Sequence, residues 1–395
     1  MVGAATLAIL AVVAQGVRPM RSFPAALFPA LCLAVAAAEP AAPEAVSLAP
    51  FWSSEVMEGE SVLFVKAGEA ELPQADVFFE PTAILSVRSS SGETTYTAGQ
   101  DYVWTPGTRQ MRLPAGSRIT FKVPGDLRRA PKSQAYALTH RDGNGEILFG
   151  GGHEYHDMQT VITYRHAPGL WTGPVPAFAG ASLPHTLGKL TAKQPLTIAL
   201  LGDSISTGCN ASGWAKVAPF QPPYQDLLVR HLETVYGAKV TLANVAVGGT
   251  GSAWGVETIG KVIEAKPDLV ILAFGMNDCP GRLAASAYQA NLKAMMDAVR
   301  QAQPEAEFVL VATMLGNADW VIMQPELFPA YRDALAALCG PGVVLADLTS
   351  VWTELLKVKK DWDMTGNGVN HPNDFGHRLY AQVLAALLVR TPAQP

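Results

Sequence analysis

Apolar and polar positions divide the chain into two parts with different rhythms. Between residues 47 and 150 the apolar runs are short: Val62-Leu63-Phe64-Val65, Val77-Phe78-Phe79, Ile84-Leu85-Ser86-Val87, Tyr102-Val103-Trp104 and Arg118-Ile119-Thr120-Phe121-Lys122-Val123. Turn clusters such as Ser89-Ser90-Ser91-Gly92 and Pro114-Ala115-Gly116-Ser117 separate them. No 3.6-residue period runs through them, so the pattern predicts a small antiparallel β-sandwich. Residues 151–194 read as a connector with one strand, Thr160-Val161-Ile162-Thr163-Tyr164-Arg165. From 195 to 390 the pattern alternates. Strands are expected at 195–201, 240–247, 268–274, 308–313 and 343–348. Helices are expected at 224–232, 256–265, 283–301, 327–338 and 374–389. Such alternation predicts a parallel sheet with helices on both faces, an α/β fold. The first of these strands, Pro-Leu-Thr-Ile-Ala-Leu-Leu, is nearly continuous apolar sequence, as expected of a strand covered on both faces.

Ahead of both parts lies a segment that reads as an address. Met20-Arg21-Ser22 opens an apolar run from Phe23 that ends in Ala36-Ala37-Ala38. A basic start, a short apolar stretch and small residues at its end predict a secretory signal over 1–38, with Met20 as a candidate true start. The competing reading is a membrane anchor, but each apolar run falls short of the ~20 residues a span needs. Residues 39–46 read as a linker. The expected location is therefore secreted or periplasmic, with no membrane association after signal removal. A net charge of −5 gives no electrostatic case for nucleic acid, and 49% hydrophobic residues suffice for a sizeable core.

Histidines cluster at Gly150-Gly151-Gly152-His153-Glu154-Tyr155-His156-Asp157. The run lacks the His-Glu-x-x-His spacing that places two ligands on one helix face. Solvated or structural histidines are the expectation, and no metal is assigned.

The chemistry-bearing residues fall where expected strands end. Gly202-Asp203-Ser204 follows the first strand of the alternating part. Asn244 to Thr250, with Gly248-Gly249, follows the second, and Gly275-Met276-Asn277-Asp278 the third. Asn370-His371-Pro372-Asn373-Asp374 precedes the last helix. Parallel order brings the first three to one edge of the sheet, where ligands of open α/β sheets bind. A serine hydroxyl needs a base to become a nucleophile, and His371 is the candidate. A tetrahedral oxyanion needs preorganised donors. The backbone N–H groups of Ser204 and Gly249 and the side-chain amide of Asn277 are candidates, with Gly248 the alternative to Gly249. Asp203 and Asp278 read as braces of the turns, and Asn373 and Asp374 as the start of the final helix.

These four blocks resemble the SGNH, or GDSL-type, hydrolase superfamily over about residues 195–390. Ser204 matches the nucleophile, Gly249 the second-block glycine, Asn277 the third-block asparagine and His371 the base. The resemblance implies a three-layer α/β/α sandwich with a parallel sheet and an esterase, lipase or carbohydrate deacetylase activity, without metal or organic cofactor. One departure stands out. The family places an aspartate three residues before the histidine, and here that position is Gly368, beside Asn367. Either a backbone carbonyl orients the ring in a Ser204–His371 dyad, or Asp363 or Asp361 does so from further back.

After signal removal three cysteines remain. Cys209 and Cys279 both sit on loops at the expected site edge, so they form either a disulfide between those loops or two buried thiols. Cys339 is left over. A signal, an appended β module and an SGNH-like domain together resemble exported carbohydrate esterases. The expected substrate is therefore an acylated carbohydrate, most simply an acetylated polysaccharide or oligosaccharide. Trp214, Trp254 and Trp320 are candidates either for a sugar-stacking cleft or for core packing. A lipase or arylesterase, and a non-catalytic carbohydrate-binding protein on a hydrolase scaffold, are the competing functions.

Overall fold

Five apolar segments line up side by side to form the centre of the molecule. In the computed structural model, which describes residues 46–134 and 136–390, they are β9 (Leu196–Gly202), β10 (Val240–Asn244), β11 (Leu269–Ala273), β12 (Glu307–Ala312) and β13 (Val343–Asp347). They pair in parallel, in the order β10-β9-β11-β12-β13. β9, β11 and β12 are buried along almost their whole length, which explains their unbroken apolar sequences. The chain first moves from β9 to β10, then crosses back over β9 to β11. That reversal is a topological switch point, and it opens a crevice beyond the carboxyl ends of β9 and β11.

Eight strands precede this sheet: β1 (Val56–Val62), β2 (Gln74–Asp76), β3 (Pro81–Ser89), β4 (Val103–Trp104), β5 (Gln110–Arg112), β6 (Arg128–Arg129), β7 (Glu146–Ile147) and β8 (Thr160–His166). They form small antiparallel sheets, β1-β8-β3, β2-β5-β4 and β6-β7. β8, expected inside a connector, is the middle strand of the first of these. The helices are α1 (Glu154–Met158), α2 (Pro184–Thr191), α3 (Ser204–Thr207), α4 (Ser212–Ala215), α5 (Tyr224–Tyr236), α6 (Ser252–Thr258), α7 (Gly260–Glu264), α8 (Ala285–Ala302), α9 (Leu327–Ala336), α10 (Leu348–Leu355), α11 (Asp361–Met364) and α12 (Asp374–Leu388). α5 packs against α12, while α6, α8 and α9 pack in series. α12 is buried nearly all round, as its sequence of Ala, Val and Leu requires. Among the described residues no helix is long and apolar enough to cross a membrane. The expected signal (1–38) and all but Val46 of the expected linker lie outside the described residues.

Several expected elements shift, each for a local reason. Val62-Leu63-Phe64-Val65 leaves the ladder after Val62 because the Leu63 N–H donates to Asp363 Oδ1 at 2.7 Å. Val77-Phe78-Phe79 is not strand: Phe78 N–H donates to the Glu60 carboxylate and Phe79 N–H to the Tyr164 hydroxyl. Residues 118–123 bend at Arg118 and Ile119, where Arg118 forks onto the buried carboxylate of Asp101, and pair only at Lys122, whose N–H donates to Phe64 O. β10 stops at Asn244, whose side chain accepts from Ala246 N–H and donates to Ser206 O. The helix expected over 256–265 is instead two, α6 and α7, meeting at Ile259.

The small antiparallel sheets and the parallel-sheet part are joined by buried polar contacts, and all the described residues fall in one compact unit. Lys359 Nζ and Glu60 Oε1 stand 2.6 Å apart, both side chains fully buried. Glu60 also accepts from Tyr164 Oη at 2.6 Å, and Lys359 donates to Asp76 O at 3.1 Å. Removing one partner of a buried pair leaves an uncompensated charge. Lys359→Met is expected to cost about 3–5 kcal/mol, read as a lower denaturant midpoint at unchanged m-value.

Candidate active site

β9 delivers Ser204 to the crevice. Asp203 caps the short helix α3, accepting from Ile205 N–H at 2.9 Å, so the turn exposes Ser204 as the first helical residue. A side chain at Gly202 would meet Ala273 O at 2.6 Å, so the strand end admits no Cβ. Burial pushes the Asp203 carboxyl up to about 7. Ser204 is itself 7% exposed.

His371 comes from the loop before α12, and its Nε2 lies 2.8 Å from Ser204 Oγ. Burial holds the ring's pKa down at about 4. The loop is shaped by Asn367, whose Oδ1 accepts from the N–H groups of Val369, Asn370 and His371 at 2.9, 2.9 and 3.1 Å. Gly368 has φ +79°, and a Cβ there would fall 2.2 Å from Tyr155 Oη. Asn373 caps α12 by accepting from Gly376 N–H, while its Nδ2 reaches Ser61 Oγ, Gln159 Oε1 and Asp363 O. Asp374 accepts from Ser212 N–H at 2.8 Å.

The glycine turn and the amide complete the edge. Val247 N–H donates to Gly202 O at 3.0 Å, lacing the β10 loop to the strand that carries Ser204. A Cβ on Gly248 would stand 3.5 Å from Ser204 Cβ, and Gly249 follows with φ +78°. Asn277 Nδ2 donates to Thr250 O at 2.9 Å, tying the third block to the second. Asp278 braces the turn, accepting from Ser252 N–H, Ser252 Oγ and Gly275 N–H.

The ring's other nitrogen is not met as expected. His371 Nδ1 lies 2.7 Å from Asn210 Oδ1. Asp363 is engaged by Leu63 N–H and Lys360 N–H, and Asp361 makes no contact with the ring. Burial raises the Asp361 carboxyl to about 7. The dyad with a backbone carbonyl and both aspartate alternatives are therefore replaced by a side-chain amide. Asn210 sits six residues past Ser204, in the loop after α3, with φ 65°. The signal in the sequence was an asparagine after Gly208, at a position where the chain turns left-handed and Asn is tolerated.

Cys209, Cys279 and Cys339 are free thiols, which removes the disulfide alternative for Cys209 and Cys279. Cys209 Sγ lies by Thr207 Oγ1, whereas Cys279 Sγ points to Gln324 O and Met323 Sδ. Of the tryptophans, Trp254 and Trp320 pack against the core and Trp214 is 41% exposed. His153 is exposed beside Asp157, and His156 is buried against Ala218 O. Among the described residues no group of three or more His, Cys, Asp or Glu could hold a metal ion. A hollow of about 540 Å³ between β1, β3, β8 and the start of α12 includes neither Ser204 nor His371.

A doubly wound parallel sheet with a Ser–His pair, a glycine turn and an amide at its carboxyl edge defines a hydrolase of the α/β/α type. Residues 200–379 match the model of the GDSL-like lipase/acylhydrolase family. This part of the chain is thus a GDSL-like, or SGNH, hydrolase domain. No curated protein sequence matches the chain. Among solved structures it is similar to a two-domain esterase active on acetylated mannans (22% identity, 54% of each chain covered, TM-score 0.43). The chain spans about half the length of that protein. It is also similar to the lipase Lip_vut3 from a goat rumen metagenome (19% identity, 48% of this chain and 96% of that one, TM-score 0.40). A third is Axe2, an acetylxylan esterase from Geobacillus stearothermophilus (18% identity, 48% and 92%, TM-score 0.38).

Gly368→Ala is expected to lower stability by about 2–5 kcal/mol, combining ~1–2 for left-handed backbone with ~1–3 for overpacking against Tyr155. A thermal melt measures it. Alkylation of unreduced, denatured protein is expected to label Cys209 and Cys279 separately, with mass spectrometry as the readout.

Proposed function

We propose that the protein is an exported serine esterase that removes acyl groups, foremost acetyl, from a polysaccharide or oligosaccharide. The contact that carries the esterase reading is the 2.8 Å approach of His371 Nε2 to Ser204 Oγ at the sheet edge. In this mechanism Ser204 Oγ attacks the acyl carbon as His371 Nε2 takes its proton. The oxyanion is met by the N–H groups of Ser204 and Gly249 and by the second Nδ2 hydrogen of Asn277, the first being held by Thr250 O. Collapse breaks the bond to the sugar oxygen, and the imidazolium returns the proton to that oxygen. Water then attacks the acyl-enzyme carbon as His371 takes its proton, the bond from that carbon to Ser204 Oγ breaks with the proton returned to Oγ, and the free acid leaves. No step calls for a metal or an organic cofactor.

The carbohydrate part of the reading is supported by a depression of about 560 Å³ lined by Thr207, three residues past Ser204, and by neither Ser204 nor His371. Trp214 and Phe220, both exposed, rim it, and Gln225, Asp226 and Asn244 supply polar groups. Apolar rings beside amides and a carboxylate suit a sugar, which offers C–H faces and hydroxyls together. Export is supported by the secretory pattern of the first 38 residues.

Acetate release from acetylated xylan and other acetylated glycans, beside a short aryl ester, tests the reading. Ser204→Ala is expected to reduce turnover on the order of 10⁶-fold while sparing glycan binding. Activity confined to longer acyl chains would make the protein a lipase instead. Glycan binding without turnover in the unmutated protein would make it a binding module.

A further inference from the structure

We propose that Asn210 is the positioning residue of the Ser204–His371 pair, its neutral amide fixing the imidazole tautomer that can accept the serine proton. The inference rests on the esterase reading and deepens it. It starts from which way the amide faces. Asn210 Nδ2 lies 2.9 Å from Gly152 O and 3.0 Å from Gly366 O, with Gly150 O further off at 3.4 Å, all carbonyls that can only accept. The NH₂ end is therefore on that side, and the end facing His371 is the carbonyl oxygen. An oxygen 2.7 Å from Nδ1 requires Nδ1 to carry the hydrogen. Nε2 is then bare, with its lone pair toward the Ser204 hydroxyl at 2.8 Å. An asparagine put in place of a triad aspartate elsewhere costs about 10⁴ in rate, because the wrong tautomer results. Here the flip that would produce that tautomer would set the amide oxygen against two carbonyl oxygens.

The surroundings keep Asn210 in place. It is buried, at 6% exposure, and a Cβ on Gly366 would meet Asn210 Cβ at 2.6 Å. Gly366 N–H in turn donates to His371 O at 2.9 Å, so the amide and the imidazole share one piece of loop. No carboxylate is bonded to the ring. Of the titratable groups on the elements packed around it, Asp203 caps α3, Asp374 accepts from Ser212, and Asp363 accepts from Leu63 and Lys360. His377 Nε2 is bonded to Cys209 O, and Tyr155 Oη donates to Leu148 O. Asp361 stands at the start of α11, off the ring.

A neutral partner and burial act in the same direction on His371. Burial lowers its pKa to about 4, and an amide, unlike a carboxylate, does not pull it back up. The base then stays unprotonated, and the enzyme working, through the weakly acid range where an imidazole of ordinary pKa would be half lost. Asn210→Asp would place an anion at Nδ1 and favour the charged ring.

The test is kcat/KM against pH on a short aryl ester for the native protein, Asn210→Asp and Asn210→Ala, with Ser204→Ala as the control for the chemistry. The native acid limb is expected near pH 4, and Asn210→Asp to move it upward by about 1–3 units. Asn210→Ala is expected to lower kcat by about 10²–10⁴-fold with KM little changed. Coincident acid limbs for the native and Asp forms, or an Ala form within about threefold of native kcat, would overturn the proposal. Because a variant can fail to fold, ¹⁵N NMR of the His371 ring in the native protein supplies a second measurement. A hydrogen on Nδ1 supports the proposal, and one on Nε2 refutes it. Undiminished turnover by Ser204→Ala would instead sink the esterase reading and leave the tautomer result standing.

Discussion

The Glu60–Lys359 pair fixes the stretch of chain that runs from α10 to His371. Withdrawing both charges from water carries a large desolvation cost, and it is offset only where every remaining lone pair and proton finds a partner. Glu60 meets that condition, and two of the three Lys359 ammonium protons find acceptors. Glu60 receives Lys359, Tyr164 and Phe78, and Lys359 also reaches Asp76 O. Four residues on, Asp363 receives the N–H of Leu63, and Asn373 then reaches Ser61. The loop bearing the imidazole is thereby stitched along the end of β1. Without such fixation a residue 167 positions from its serine would have no reason to stay within hydrogen-bond reach of it.

The parallel sheet was legible because its strands are buried on both faces and so carry near-continuous apolar runs. Ser204, Asn277 and His371 were legible because strand ends and the loop before the last helix are where an α/β sheet exposes side chains. The antiparallel strands were harder to place. Leu63, Phe78 and Phe79 are as apolar as any strand residue, yet their N–H groups go to side chains distant in sequence. No local pattern announces that Asp363 or Glu60 will take a backbone donor from another element.

Asn210 shows the same limit at the site. Upstream of His371, where an acid was expected, stand Gly368 and Asn367. Those residues have a different task, shaping the loop. The partner came from the opposite side of the crevice, in a left-handed turn six residues past the serine. Its fitness depends on two carbonyls, at Gly152 and Gly366, and their meeting is a tertiary event. An asparagine in isolation carries no sign of which end of its amide will face a histidine.

One of those carbonyls has a wider consequence. Gly152 belongs to the segment between β7 and β8, inside the antiparallel part and well ahead of the stretch that matches the family model. A fragment cut to begin at residue 195 would keep the serine, the histidine and the amide, yet lose the Gly152 carbonyl, and the more distant one of Gly150, that help dictate how the amide faces. It would also lose the β1 backbone that anchors Asp363. The leading β region is thus a structural component of the Ser204–His371–Asn210 array, which reaches beyond the stretch that matches the family model.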